Sequence, residues 1–138
     1  MTQDQLTAHA AFLLRIALGL MFLAHSVILK LFVFTLPGLA DYFGSIGLPP
    51  AFGYVVFAAE AVGGALLVLG VQTRWVALGL TPILIGATWA HAGNGWVFIA
   101  TGGGWEYPAF LALLGVLQAM LGDGSYALSP TKQFPVRS

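Results

Sequence analysis

The chain alternates between long apolar stretches and short connections marked by proline, glycine or charged residues. The stretches are too long and continuous for strands, and about 20 consecutive apolar residues suffice for a helix to cross a membrane. We therefore predict one all-α domain over residues 1–138, an integral membrane four-helix bundle. Its spans are predicted at about 10–36, 52–70, 75–91 and 107–122.

The connection between the first and second spans has a helical pattern of its own. Pro37-Gly38 is expected to end the first span, because proline and glycine interrupt helices. Leu39, Phe43 and Ile46 then follow at the spacing of one helix face. A short helix lying in the membrane interface fits this pattern better than a solvated loop.

Composition narrows the class of protein further. Hydrophobic residues make up 59% of the chain and charged residues 7%, whereas a soluble domain carries about 25% charged residues. This excludes a water-soluble monomer. The formal net charge is zero, so no nucleic-acid partner is expected. Cysteine is absent, which excludes thiolate metal sites and iron–sulfur clusters. Any redox cofactor is therefore expected to be diffusible or held by another protein, and not covalently attached to this chain. No removable signal peptide is expected.

Basic residues near the span ends predict the orientation. Arg74, Lys132 and Arg137 share one side of the predicted bundle, with Arg15 just inside the first span, and Lys30 lies near the other side. Because cytoplasmic loops carry the excess of basic residues, both termini are predicted to be inside. Arg15 and Arg74 are interpreted as structural charges, and Arg15 is close enough to a span end to snorkel to the interface.

Glu60 is the most informative residue, because it lies deep within the second predicted span. A charge in hydrocarbon costs at least about 2.5–3.5 kcal/mol, so Glu60 must face the bundle interior, protonated or paired. Lys30 lies at a similar depth and is the predicted partner, in preference to Arg15. Two interpretations stay open: a carboxylate that carries protons or binds a ligand, and an ion pair that locks two helices together.

Histidines and tryptophans surround the predicted depth of Glu60. His25 and His91 with Glu60 and Glu106 could form a three- or four-ligand metal site, but the histidines lack a local ligand spacing, so no metal is predicted. As neutral side chains the histidines could hydrogen-bond a quinone carbonyl or shuttle a proton. The tryptophans fit an aromatic belt at the membrane boundary, or the walls of a site for a flat ring. The candidate pocket, in the outer half of the bundle, consists of Glu60, Lys30, His25, His91, Glu106, Trp89 and Trp105.

Small residues in the second span predict close helix packing. Gly63-Gly64 follow Ala59 by about one helical turn. Glycine and alanine at this spacing allow the backbones of membrane helices to approach each other.

Short motifs along nearly the whole chain resemble, in order, those of the DoxX family. Ser26 departs from the pattern, in which glycine is more usual. The resemblance implies a four-helix protein of the bacterial inner membrane, and a small subunit or partner of a membrane oxidoreductase, such as a thiosulfate:quinone oxidoreductase. The matching motifs are Arg15-x₃-Gly19-x₂-Phe22, Ala24-His25-Ser26-x₃-Lys30-Leu31-Phe32, Gly47-Leu48-Pro49, Glu60-x₂-Gly63-Gly64, Thr73-Arg74, His91-x₂-Asn94-Gly95-Trp96, Gly103-Gly104-Trp105-Glu106-Tyr107-Pro108 and Gly122-Asp123-Gly124.

Three functions follow from these observations. The first is a quinone-linked accessory subunit of an oxidoreductase, with electrons supplied by a partner. The second is a structural assembly factor in the membrane, and the third a small proton-coupled transporter. The sequence leaves open whether the protein is itself an enzyme, and whether it forms a homo-oligomer in the bilayer.

Overall fold

The computed structural model describes residues 1–132, which form helices and turns. Among them the only β-type pairing is an isolated bridge between Val71 and Ser129, so the predicted all-α class is confirmed. The helices are α1 (Gln3–Leu23), which continues as a π-helix (Ala24–Val33), α2 (Leu36–Ser45), α3 (Ala51–Leu69), α4 (Thr73–His91), which ends in a short 3₁₀ turn (Ala92–Asn94), and α5 (Glu106–Leu121).

The bounds of α3, α4 and α5 lie within two residues of the predicted spans, whereas the first helix differs at both ends. It begins at Gln3 because Thr2 forms a capping box with Gln5: the Gln5 amide donates to Thr2 Oγ1 at 3.3 Å, and the Thr2 amide donates to Gln5 Oε1 at 2.8 Å. It ends at Val33, before Pro37-Gly38. The prediction that Pro37-Gly38 ends it was therefore wrong.

Pro37 and Gly38 instead lie in the first turn of α2. Thr35 caps this helix, and its Oγ1 accepts a hydrogen bond from the Gly38 amide at 3.3 Å. Proline suits this turn because its missing N–H is not needed there. The connection is helical, as predicted, and Leu39 packs against α3 at Gly53, where a Cβ would lie 3.2 Å from the Leu39 side chain.

The four long helices pack in the order α1, α3, α4, α5, with α5 returning to α1. Gly63 and Gly64 make the close approaches that the sequence predicted: a Cβ on Gly63 would lie 2.7 Å from Leu80 Cδ1, and one on Gly64 3.0 Å from the Gly19 carbonyl oxygen. These contacts confirm the packing prediction. The core consists of Leu18, Phe22, Leu67, Ala77, Leu80, Leu84, Leu111 and Ala119.

Three helical segments are long and apolar enough to cross a membrane: Gln3–Val33, Ala51–Leu69 and Thr73–Asn94. Helix α5 is also apolar but has only 16 residues. Large apolar side chains cover the outside of the bundle, as expected where lipid is the solvent. The chain is therefore a membrane protein in which at least these three segments are candidate spans.

The bundle has two ends that carry different polar groups. We call "Arg15 end" the first half of α1, the turn between α3 and α4, the end of α5, and residues 122–131 that follow it. We call "Lys30 end" the π-helix, α2, the first half of α3, and the connection formed by residues 92–105. Arg137, one of the residues behind the predicted orientation, lies outside the described part of the chain.

Candidate functional site

Lys30 and Glu60 form an ion pair between the π-helix and the middle of α3. The Lys30 ammonium donates a hydrogen bond to Glu60 Oε2. The Glu60 side chain is 7% exposed and that of Lys30 16%, so the pair is largely enclosed. The predicted pairing is confirmed.

The π-helix positions Lys30 and also carries Ser26 and His25. Ser26 is fully buried, and its hydroxyl donates to the Phe22 carbonyl oxygen at 2.8 Å. This fixed hydroxyl explains how a serine fits where glycine was expected. Longer π-helical segments are rare, and π-helical turns frequently lie at functional sites because they change the direction of neighbouring side chains.

His25 faces the start of α5. Its Nδ1 lies 3.0 Å from the Met21 carbonyl oxygen, and its ring centroid lies 6.1 Å from that of Tyr107. Because a carbonyl oxygen can only accept, Nδ1 carries the proton, and Nε2 of the neutral ring is left as an acceptor. Within residues 1–132 no hydrogen bond joins His25 to the Lys30–Glu60 pair.

His91 and Glu106 have partners in the connection between α4 and α5. His91 Nδ1 lies 3.4 Å from Asn94 Nδ2, which donates to the carbonyl oxygens of Gly102 and Gly103. Glu106 Oε1 accepts from the Phe98 amide at 2.9 Å. These contacts tie the glycine-rich connection down. In the described part of the chain no hydrogen bond or ion pair links either residue to Glu60, so the predicted pocket is divided.

Trp89 and Trp105 line one groove on the outside of α4 and α5. The groove has a volume of about 440 Å³, and its other lining residues are Ile85, Thr88, Ala92, Ala109 and Ala112. The two tryptophans are 59% and 40% exposed. The groove is almost wholly apolar and contains no ionisable side chain, so it suits a flat hydrophobic group.

A metal site does not form from these residues. Residues 1–132 contain no group of three or more histidine, cysteine or carboxylate side chains placed to hold an ion. The four-ligand arrangement of His25, His91, Glu60 and Glu106, which the sequence left as a weak alternative, is therefore not present.

The prediction that Arg15 snorkels to the interface was wrong. Its side chain is completely buried at the Arg15 end, and Nη2 donates to the Ser125 carbonyl oxygen at 3.0 Å. Its guanidinium carbon lies 5.3 Å from the centre of the Phe12 ring. The group occupies the space beside Gly70, where a Cβ would lie 1.5 Å from Nη1. Residues 122–131 fold over the bundle and remove Arg15 from water.

Asp123 attaches the segment after α5 to the start of α4. Its Oδ1 accepts from the Thr73 amide at 3.0 Å and its Oδ2 from the Thr131 amide at 2.9 Å. Burial alone would raise the pKa of the Asp123 carboxyl, but hydrogen bonds from Thr131 and Thr73 outweigh burial and hold that pKa below its usual value. Asp123 is thus a charged cap on α4, and its charge acts on the nearby Arg15 guanidinium.

Arg74 has the structural role that was predicted for it. Its Nη1 donates to the carbonyl oxygens of Ala119 and Met120, at 2.9 and 3.1 Å, and so caps the end of α5. Gln118 supports the same end: its Nε2 donates to the carbonyl oxygens of Ala11 and Gly122. Sequence reasoning did not select Gln118 or Asp123. A glutamine within an apolar helix and a carboxylate between two glycines were the signals for them.

Comparison with known proteins places the chain in a family. The DoxX family model matches residues 10–93. A Bacillus subtilis protein named "Putative oxidoreductase CatD" is 41% identical over 75 residues, and this match covers 54% of either chain, so the chain spans about half the length of that relative. No solved structure matches. The match over more than half of the chain agrees with the residues from which the resemblance was drawn, and this protein belongs to the DoxX family.

Proposed function

We propose that this protein is a quinone-linked accessory subunit of an oxidoreductase in the bacterial inner membrane, and that the Lys30–Glu60 pair is its working site. The observation that carries the proposal is a nearly enclosed ion pair held by a π-helix in an apolar bundle. Intramembrane charges are expensive and commonly mark proton or ligand pathways. The relative named as an oxidoreductase supports a redox context.

The proposal also includes four membrane spans, with both termini on the cytoplasmic side. Helix α5 has 16 residues, or about 24 Å of helix, and a slightly thinned bilayer would accommodate it. In this orientation the Lys30 end lies in the outer half of the membrane, and α2 lies in the outer interface. The buried face of α2, formed by Leu39 and Ala40, supports an interfacial helix.

The residues present fit a quinone in two respects. The groove between Trp89 and Trp105 is apolar and has flat walls, and aromatic rings stack favourably on other rings. Apart from this groove, Lys30 provides an ammonium that can donate to a carbonyl oxygen, and Glu60 holds that ammonium. A bound quinone would accept two electrons and two protons to become a quinol.

Each side chain then has one task. The Lys30 ammonium would donate to a quinone oxygen and would favour negative charge there. Glu60 accepts a hydrogen bond from this ammonium and holds it in position. His25 Nε2, an acceptor in the neutral ring, is a candidate to relay protons. The chain has no cysteine and supplies no electrons of its own in this proposal; a partner subunit supplies them.

Quinone binding tests the proposal directly. Wild-type protein purified from bacterial membranes is expected to retain extractable quinone, and added quinone to quench tryptophan fluorescence. Glu60→Gln should weaken quinone binding about tenfold, because it removes the carboxylate that holds the Lys30 ammonium in position, and a hydrogen bond from a charged donor is worth about 1.5–3 kcal/mol. Glu106→Gln is the matched control, because Glu106 binds the Phe98 amide. Absence of quinone together with equal affinity of both variants would contradict the proposal.

A structural assembly factor is the second candidate. Arg15, Arg74 and Asp123 all bind backbone groups that hold segments together, and the Lys30–Glu60 pair could do the same for two helices. In that case Glu60→Gln would reduce the amount of assembled partner complex without a separate defect in quinone binding. A proton-coupled transporter is disfavoured, because a carboxylate that binds and releases protons works better without a resident cation.

A further inference from the structure

A second cavity opens at the Arg15 end, where the first turns of α1 face the end of α5 and residues 122–131. Its volume is about 350 Å³, at the lower end of the range of small-molecule sites. Asp4, Arg74 and Asp123 are the charged side chains that line it. The proposed quinone function uses none of these residues, and the cavity is separate from the Trp89–Trp105 groove.

Some hydrogen-bond donors of the Arg74 guanidinium are not used within residues 1–132. Nη1 binds the carbonyl oxygens at the end of α5, whereas Nε and Nη2 make no hydrogen bond within residues 1–132. Gly122 packs against this guanidinium, and only glycine leaves room there: a Cβ would lie 2.8 Å from Nη2 and 3.1 Å from both Cζ and Nε. The free edge presents two parallel N–H groups, the geometry that matches two oxygens of a phosphate.

Asp4 supplies the opposite charge. It is exposed in the first turn of α1, and among the described residues its carboxylate has no hydrogen-bond partner. Asp123 differs, because both of its oxygens already accept hydrogen bonds from backbone amides. The cavity therefore has one available cationic edge and one available carboxylate. A zwitterion complements this pair better than a simple anion, which the carboxylates would repel.

The depth of the cavity points to a lipid. Arg74 lies in the first turn of α4, one of the candidate spans, and its neighbour Trp75 is 54% exposed on the outside. Exposed tryptophans concentrate at the level of lipid headgroups. We propose that this cavity binds the headgroup of phosphatidylethanolamine, with the phosphate on the free edge of Arg74 and the primary ammonium on Asp4.

Lipid retention in native mass spectrometry tests the assignment. The full-length protein is reconstituted in nanodiscs containing phosphatidylethanolamine and phosphatidylcholine in equal amounts with identical acyl chains, and is then released into detergent. Wild-type protein should retain phosphatidylethanolamine at least about fivefold over phosphatidylcholine, because only a primary ammonium can donate hydrogen bonds to Asp4. Asp4→Asn should remove this preference while one lipid stays bound.

Arg74→Lys keeps a charge for the α5 carbonyl oxygens but removes the two parallel N–H groups of the guanidinium. This variant should lower retention of both lipids about tenfold. Lys132→Gln is the matched control, because Lys132 is an exposed basic residue at the same end that does not line the cavity; it should change nothing. Equal retention of both lipids by the wild type, an equal loss in Lys132→Gln, or an unchanged preference in Asp4→Asn would overturn the proposal. So would displacement of the lipid by millimolar inorganic phosphate, since that would identify a site for the free anion.

Discussion

The two ends of the bundle use charged side chains in opposite ways. At the Arg15 end, Arg15 binds a backbone carbonyl oxygen and Asp123 binds backbone amides, so each charge fixes a distant piece of chain. At the Lys30 end, Lys30 and Glu60 bind each other. The charges at the Arg15 end therefore hold segments of backbone, whereas those at the Lys30 end hold two helices together through a pair of side chains.

Removing the cation from each end should have unequal effects on stability. Arg15→Met leaves the partly buried Ser125 carbonyl oxygen without its donor, so we expect a loss of about 1–3 kcal/mol in the free energy of unfolding. Lys30→Met leaves the buried Glu60 carboxyl group without its partner, so we expect a larger loss of about 3–5 kcal/mol. Titration with a denaturing detergent measures both. Equal losses would remove the distinction between the two ends.

Adding a methyl group to one glycine at each end gives a second contrast. Gly70 and Gly47 have φ angles of +70° and +83°, so alanine strains the backbone at either position by about 1–2 kcal/mol. A Cβ on Gly70 would also lie 2.7 Å from the Ala127 Cα and collide with Arg15, whereas no atom lies within 4 Å of one on Gly47. Overpacking should add about 1–3 kcal/mol to the cost of Gly70→Ala alone. Similar unfolding free energies for both variants would contradict the tight packing of the Arg15 end.

Acid should weaken the Arg15 end through Asp123. Because folding lowers the pKa of this carboxyl group below its usual 3.8, its stabilising contribution is complete above that value and is lost as the pH falls through the folded pKa. Asp123→Asn should cost about 1–3 kcal/mol at neutral pH, since the amide cannot accept from both backbone donors. The thermal unfolding temperature of the wild type should therefore decrease as the pH is lowered below about 4. That fall should be smaller in the variant; an identical pH profile would show that other groups are responsible.

Much of the fold could be predicted from the sequence because the bilayer imposes simple requirements. The lengths of the apolar stretches predicted the helices, and the glycines of the second span indicated close packing. The Lys30–Glu60 pair followed from depth alone, since a carboxylate in hydrocarbon needs a partner and Lys30 lay at the right level. These predictions depend only on the distance along a helix, which can be counted directly from the residue numbers.

The remaining features depend on which side chains meet in three dimensions. The π-helix has no distinct pattern, because Ala24–Val33 is as apolar as the helix before it. The burial of Arg15 was missed because its partner, Ser125, lies 110 residues away in a segment interpreted as a polar tail. His91 and Glu106 were grouped with Glu60 by depth, but hydrogen bonds within the glycine-rich connection hold them elsewhere.

The separation between Arg15 and Ser125 also concerns biosynthesis. Arg15 enters the bilayer with the first helix, long before the ribosome has made the residue whose carbonyl oxygen will receive it. Until then the guanidinium has to stay near the lipid phosphates or be sheltered by the insertion machinery, because hydrocarbon contains no hydrogen-bond acceptor or counter-ion for it. The buried position of Arg15 can therefore form only after residues 122–131 have been made. The segment after α5 thus completes the environment of an arginine in the first helix.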